Sequence, residues 1–303
     1  MRKFLIQIAL FILIGLVIAE VASRFFVFTS DIPMRTVNTN QIQKYVPDQQ
    51  GYWKMKSHKW QVNHLGWPGP LPDSYDNLVT VIGDSFIENF MNPDSCHQSV
   101  LLKKEMPNLN FMEAARSGVS LIEAFEIKKE LDTLNPKYQL IYASDSDFEE
   151  SIAQIHPMSD VTQFNLKTNQ IAYGKLKSPG LKKILYNWKF VFYLYRRFSS
   201  DLSFNDVQAS HSEKSDVKDD IPKYRELIDF IHNNYVADNV IIVLKPNTNP
   251  IFQNLLSEYE IKFMVLDDTK DKSWSFDYDA HWTCYGHERA SLQVSDYLRK
   301  YKK

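Results

Sequence analysis

Val79-Thr80-Val81-Ile82-Gly83-Asp84-Ser85-Phe86 is the stretch on which the fold turns. Four apolar or β-branched residues in a row, without polar alternation, read as a strand buried on both faces, the property of a parallel strand covered by helices. Gly83 lets the backbone turn sharply, so Ser85 stands at the carboxyl end of that strand, where open α/β folds place their ligands. Gly-Asp-Ser is also ordinary turn chemistry, and its meaning depends on what surrounds it.

Runs of the same kind recur at Asn110–Met112, Leu140–Tyr142, Val240–Leu244 and Lys262–Leu266. Helix-like segments lie between or after them at Gln98–Met106, Leu121–Leu134, Tyr224–Asn233, Ile251–Tyr259 and His287–Tyr301. This βαβα alternation predicts an α/β protein, a doubly wound three-layer α/β/α sandwich on a central parallel sheet. A chain of 303 residues, 44% hydrophobic and 24% charged, has the length and composition for a full core, which excludes a disordered, collagenous or disulfide-scaffold protein. Lys and Arg number 35 against 37 Asp and Glu, so no global field is available to hold nucleic acid, and no nucleic-acid partner is expected. Cys96 and Cys284 lack CxxC or Cys/His spacing and do not mark a zinc site; whether they pair or stay free is open.

From Phe4 to Ala19 the chain reads FLIQIALFILIGLVIA, with Gln7 its one polar residue, and Arg2 and Lys3 precede it. Residues 1–28 are expected to form a membrane anchor with a cytoplasmic amino terminus, or a cleaved signal peptide. The uncleaved anchor is preferred, because the apolar run exceeds an ordinary h-region and bulky Arg24-Phe25-Phe26 follows the small Val21-Ala22-Ser23. Either reading puts the rest of the chain outside the cytoplasm. Residues 29–50, polar and containing Pro33 and Pro47, read as a linker, and residues 51–303 as the folded domain.

A second informative segment is Phe276-Asp277-Tyr278-Asp279-Ala280-His281-Trp282-Thr283-Cys284-Tyr285-Gly286-His287. An Asp two residues before a His can hold one ring nitrogen, leaving the other to take a proton from a serine across the sheet rim. Ser85, His281 and Asp279 make such a set, with Asp277 as the other candidate partner. His287 opens the last helix and reads as a structural contact, and Cys284 as packing. His64, His97 and His156 read as loop or surface residues with no partner legible in the sequence.

The chain here resembles the SGNH, or GDSL-type, hydrolases. Gly83-Asp84-Ser85-Phe86 is similar to their nucleophile block and Ala115-Arg116-Ser117-Gly118-Val119-Ser120 to the second block, whose Gly lends a backbone N–H to the oxyanion hole. Asp279-Ala280-His281-Trp282 with Gly286-His287 resembles the D-x-H-W…G-H ending of many membrane-anchored members and of alginate-type O-acetyltransferases. Asn63-His64-Leu65-Gly66-Trp67 resembles a stretch that precedes the first strand in anchored members. The resemblance covers residues 51–303 apart from an insertion. It implies a flavodoxin-like fold and acyl transfer in which Ser85 attacks an ester carbonyl, His281 carries the proton and Asp279 orients the ring. The N–H groups of Ser85 and Gly118 then hold the oxyanion. The third block departs from the family pattern, because Ala143-Ser144-Asp145-Ser146-Asp147-Phe148 holds neither its Gly nor its Asn, leaving Ser146 or Ser144 as hydroxyl donors.

The implied reaction needs no metal and no cofactor. Its expected substrate is an acylated glycan or lipid outside the cytoplasm, hydrolysed by water. The alternatives are transfer of the acyl group to a polysaccharide hydroxyl, or a degenerate domain that binds glycan.

An insertion at about 157–220 interrupts the alternation. Residues 161–200 hold eight Lys and Arg and no acid, and Asp201–Asp220 holds six acids against two lysines. A basic aromatic helix is expected over Leu181–Phe198, beside the same rim as Ser85, followed by a mobile polar loop. Its lysines are either solvated on a cap or turned toward anionic lipid headgroups or an acidic glycan.

Overall fold

The computed structural model describes residues 1–198, 217, 219–235 and 238–301. It opens with α1 (Arg2–Phe26), a helix long and apolar enough to cross a membrane, whose apolar side chains are exposed along its length. Only its end meets the rest of the protein, with Ser23 and Val27 buried.

The segment expected as a linker is folded. β1 (Arg35–Val37) and β2 (Gln43–Tyr45) pair antiparallel, and Ile42, Gln43 and Tyr45 are buried. A second hairpin of β3 (Gln50–Tyr52) and β4 (Lys59–Gln61) seats Trp60 against Phe90, ring centroids 5.2 Å apart. Strands of three residues carry no usable periodicity. What orders these hairpins is tertiary, such as the Gln43 side chain donating to the carbonyl of Asp160 at 2.8 Å.

The layered part follows as β5 (Leu78–Gly83), α2 (Ser85–Glu88), α3 (Gln98–Glu105), β6 (Asn110–Ala115), α4 (Leu121–Leu131), β7 (Tyr138–Ala143) and α5 (Asp145–Glu150). A hairpin of β8 (Gln163–Asn165) and β9 (Gln170–Ala172) leads to α6 (Pro179–Asn187) and α7 (Lys189–Phe198). The chain then runs through α8 (Ile221–Tyr235), β10 (Val240–Leu244), α9 (Pro250–Glu258), β11 (Phe263–Val265), β12 (Ser275–Phe276), β13 (Asp279–Trp282) and α10 (Cys284–Tyr301).

Five strands form one parallel sheet in the order β11-β10-β7-β5-β6. Strand residues alternate between two cores. Leu78, Ile82, Met112, Ile141 and Ile242 pack with Ile122, Phe125, Ile228 and Phe252 of α4, α8 and α9. Val79, Val81, Phe111, Leu140 and Val243 pack with Leu102, Val294 and Leu298 of α3 and α10. This is the expected three-layer α/β/α sandwich, in the flavodoxin-like order. Because β6 lies on one side of β5 and β7 on the other, the order reverses at β5 and opens a crevice beyond its carboxyl end.

Cys96 and Cys284 form a disulfide across a sequence separation of 188, so Cys284 is a covalent tie and not packing alone. The first part of the expected insertion packs on the sandwich: Phe164 is buried and the Ser120 hydroxyl donates to the Thr162 carbonyl at 2.6 Å. The expected single helix over Leu181–Phe198 is two, broken at Trp188. Its seat is the end of α1. There Glu20 accepts from the backbone N–H groups of Lys189 (3.1 Å) and Phe190 (2.8 Å), Arg24 donates to the Asn187 carbonyl and Lys189 pairs with Asp31. The acid-rich stretch expected as a mobile loop lies, from 201 to 216, outside the described residues.

Candidate active site

Gly83 ends β5 at a place where nothing larger fits: a Cβ there would stand 2.6 Å from Cγ1 of Ile87 and 3.3 Å from Tyr142. The chain therefore folds back tightly, Asp84 caps the short turn of α2 by accepting from the Phe86 N–H at 3.0 Å, and Ser85 is its first residue. From the other end of the chain, β12 and β13 form a hairpin that carries His281 to the same rim. His281 Nε2 lies 2.8 Å from Ser85 Oγ. The Asp279 carboxylate takes the ring at Nδ1 and also accepts the His281 backbone N–H at 2.9 Å. Asp279 rather than the exposed Asp277 is thus the residue on the ring. Partial burial acts to raise the Asp279 pKa, but the backbone N–H and the ring of His281 outweigh it and hold the carboxyl below its ordinary range.

The ring is held on its face as well. Phe86 stacks on His281 with centroids 4.7 Å apart, Trp282 meets Phe86 edge-on, and Asn92 donates to the Trp282 carbonyl at 2.9 Å. Cys284, three residues beyond His281, is bonded to Cys96 in the same neighbourhood.

The turn after β6 is clamped from three directions. Glu88 accepts the Ser117 N–H at 2.6 Å and the Tyr45 hydroxyl; Arg35 (3.1 Å) and Arg116 (2.6 Å) donate to the Ser117 carbonyl; Arg116 pairs with the buried Glu123 at 2.6 Å. Gly118 then sits at φ +77°, with no neighbour closer to an added Cβ than 3.8 Å, so its glycine is required by conformation and the space beside it is open. Among the described residues, neither the Ser85 nor the Gly118 N–H has an acceptor. That leaves two donors for an external oxygen.

In the altered third block, Ser144 caps α5 in a reciprocal capping box with Asp147, its hydroxyl donating to Asp147 Oδ2 at 2.8 Å. Asp145 accepts from the Asn249 N–H at 3.0 Å and is committed to the β10–α9 loop. Ser146 is exposed, its hydroxyl 2.9 Å from that of Ser144. Of the two candidate hydroxyls, Ser146 is the one not consumed by the cap.

Sequence reasoning missed several residues around the site. His97, expected as a loop or surface residue whose partner the sequence does not show, lies between two helical segments and is buried, with Nδ1 on the carboxylate of Glu113, whose other oxygen accepts the Ser99 N–H at 2.9 Å. A single charge inside the apolar strand Asn110–Ala115 was a signal that a partner was needed. Lys245 at the end of β10 places Nζ 3.2 Å above the Phe86 ring and 3.6 Å from Asp84 Oδ2. It faces a group of carboxyls in which burial, then the charge of Asp84, pushes Asp147 well up and Glu150 to about 7. A lysine closing a strand gives no such signal. His287 is the structural contact expected: it is buried, Gln98 donates to its carbonyl at 2.8 Å and lies 3.2 Å from its Nδ1, and Tyr142 donates to Gln98. His156 lies 3.9 Å from Glu149, and His64 is exposed in the loop after β4. Among the described residues no cluster of three or more His, Cys, Asp or Glu has the geometry to hold a metal ion.

No protein-family model matches the chain, and no curated protein matches it in sequence. Solved structures with a similar chain trace include the psychrotrophic esterase EstA from Pseudoalteromonas sp. It is 12% identical, at a TM-score of 0.40, over 75% of this chain and 98% of that one. TesA is similar at 8% identity and a TM-score of 0.39, over 72% and 97%. A lipolytic protein of the G-D-S-L family from Desulfitobacterium hafniense is similar at 9% and 0.37, over 73% and 98%.

Proposed function

We propose that the chain is an SGNH-type serine hydrolase that cleaves acyl esters through a covalent intermediate on Ser85. The observation that carries this reading is the continuous line from Ser85 Oγ to His281 Nε2 (2.8 Å) and from His281 Nδ1 to Asp279. His281 takes the hydroxyl proton as Ser85 attacks the ester carbonyl, and gives it to the leaving alcohol when the tetrahedral adduct collapses. Asp279 stays ionised and fixes the tautomer that presents a bare Nε2 to the serine. The N–H groups of Ser85 and Gly118 receive the oxyanion, with the Ser146 hydroxyl as third donor. Water entering along the same line regenerates Ser85. A sugar hydroxyl entering in its place makes the same intermediate an O-acyl donor.

The substrate class is an acyl ester of a glycan or lipid outside the cytoplasm, reached by a domain anchored through α1. Arg2 and Lys3 before the span favour a cytoplasmic amino terminus, and the Cys96–Cys284 bond fits an oxidising compartment. Retention of α1 is favoured by Glu20, since cleavage near Arg24 would strand the two N–H groups of α7 that it accepts.

The test is turnover of a short activated ester by the full-length protein. Ser85→Ala and His281→Ala are each expected to remove it to a similar extent, because groups that act as a unit fail together. Unchanged turnover in Ser85→Ala moves the nucleophile elsewhere.

A further inference from the structure

The insertion helices carry a surface that the ester chemistry does not use. On α6, Leu181 (54% exposed), Ile184 (64%) and Trp188 at its end (56%) recur at i, i+3 and i+7, which is one face of a helix. Val191 and Phe198 repeat the seven-residue spacing on α7 and are also exposed. Phe25, Phe26 and Phe28, at and just past the end of α1, are exposed too, and Phe28 lies 5.9 Å from Tyr193 of α7. The Phe28–Tyr193 contact thus seats α7 against the end of the apolar helix α1, with Leu181, Ile184, Trp188, Val191 and Phe198 left uncovered nearby. Lys183, Arg196 and Arg197 are exposed on the same two helices, within a stretch of the chain that holds no acid.

We propose that α6 and α7 lie in the bilayer interface beside the emerging end of α1, their apolar face at the boundary of headgroups and acyl chains and their basic residues on anionic phospholipid headgroups. The placement of α6 and α7 is set by α1. Glu20 and Arg24, in its last two turns, hold the start of α7 and the end of α6, so these helices sit at the depth at which the span leaves the bilayer. Trp188 at the junction has the amphipathic ring favoured at that depth. The domain is then held to the membrane at two places and cannot swing freely about α1. The proposal rests on α1 being a retained span.

The full-length protein is reconstituted in vesicles of phosphatidylcholine and phosphatidylglycerol brominated near the acyl carbonyl, and tryptophan emission is compared with that in unbrominated lipid. Trp60, Trp67, Trp274 and Trp282 are buried in the domain, which leaves Trp188 and the part-exposed Trp53 to report. The expected result is a quenched component that Trp188→Phe abolishes. Lys183→Gln with Arg197→Gln should reduce that component in phosphatidylglycerol vesicles at low salt and leave it unchanged in phosphatidylcholine alone. Equal quenching of wild type and Trp188→Phe, in protein that still floats with vesicles after carbonate, overturns the interfacial placement and leaves the anchor standing. Failure to float removes both. Quenching indifferent to the charge variant in phosphatidylglycerol overturns the headgroup contact.

Discussion

His97 and His287, both buried behind the Ser85 site, have their pKa values pushed in opposite directions. Burial alone would lower the pKa of His97, but the carboxylates of Glu113 and Asp94 outweigh it and raise it. Burial, with the charges of His97 and His281, drives His287 down to about 3 and keeps it neutral. A histidine raised on folding contributes stability that is fully present below its unfolded value of about 6.5 and is lost as pH rises through the folded pKa. His97→Gln leaves the buried Glu113 carboxyl without its histidine partner and is expected to cost about 3–5 kcal/mol where that pair is charged. Denaturant unfolding across pH should show that gap widest in mild acid and narrowing toward alkaline pH; a gap independent of pH would mean that His97 is neutral in the fold. Ser146→Asn tests the third oxyanion donor. A lost donor typically costs about 10²- to 10³-fold in rate, so restoring an amide there should raise kcat for an activated ester. A flat or lower kcat would mean that position 146 does not face the acyl oxygen. At this scale the grouping of Ser85, His281 and Asp279 was legible, because Gly83-Asp84-Ser85 and Asp279-Ala280-His281 are each local patterns, and the structure brings the three side chains together. Lys245, Arg35 and Glu88 were not legible, since their partners come from elements far away in the chain.

At the scale of elements, the five sheet strands and the helices that cover them were legible as apolar runs and helical periods, with boundaries shifted by a few residues. Hairpins β1–β2 and β3–β4 were not, being three-residue strands ordered by contacts with the domain; around β1–β2, two prolines in a polar stretch looked like a linker, whereas β3–β4 falls at the start of the expected domain. The break of the expected insertion helix at Trp188 was hidden for a related reason, because each half keeps its own amphipathic period. The Cys96–Cys284 bond ties β13 and the start of α10, which flank His281, to the turn before α3. Replacing both cysteines by serine is expected to cost about 2–5 kcal/mol of stability. Turnover should fall more steeply than the folded fraction measured by circular dichroism, because the His281 hairpin loses its tie. Turnover that tracks the folded fraction would assign the bond to stability alone.

In the whole molecule, the first sheet strand of the chain lies where the strand order reverses, and its carboxyl end holds Ser85. The β6 turn reaches that rim from one side, the β7 and β10 ends from the other, and the β12–β13 hairpin brings His281 across it. The hairpins next to the span also serve the site, since β1 and β2 supply Arg35 and Tyr45 to the clamp on the Gly118 turn. The apolar helix α1, the clamp on the Gly118 turn and Ser85 are thus joined in one structure. The central claim is that Ser85 is an activated nucleophile. Its most direct test is to treat the full-length protein with a fluorophosphonate and locate the adduct by peptide mass spectrometry. An adduct on Ser85 is expected, absent from Ser85→Ala and formed much more slowly in His281→Ala. A folded protein whose Ser85 stays unmodified, or whose adduct maps to another serine, would contradict it.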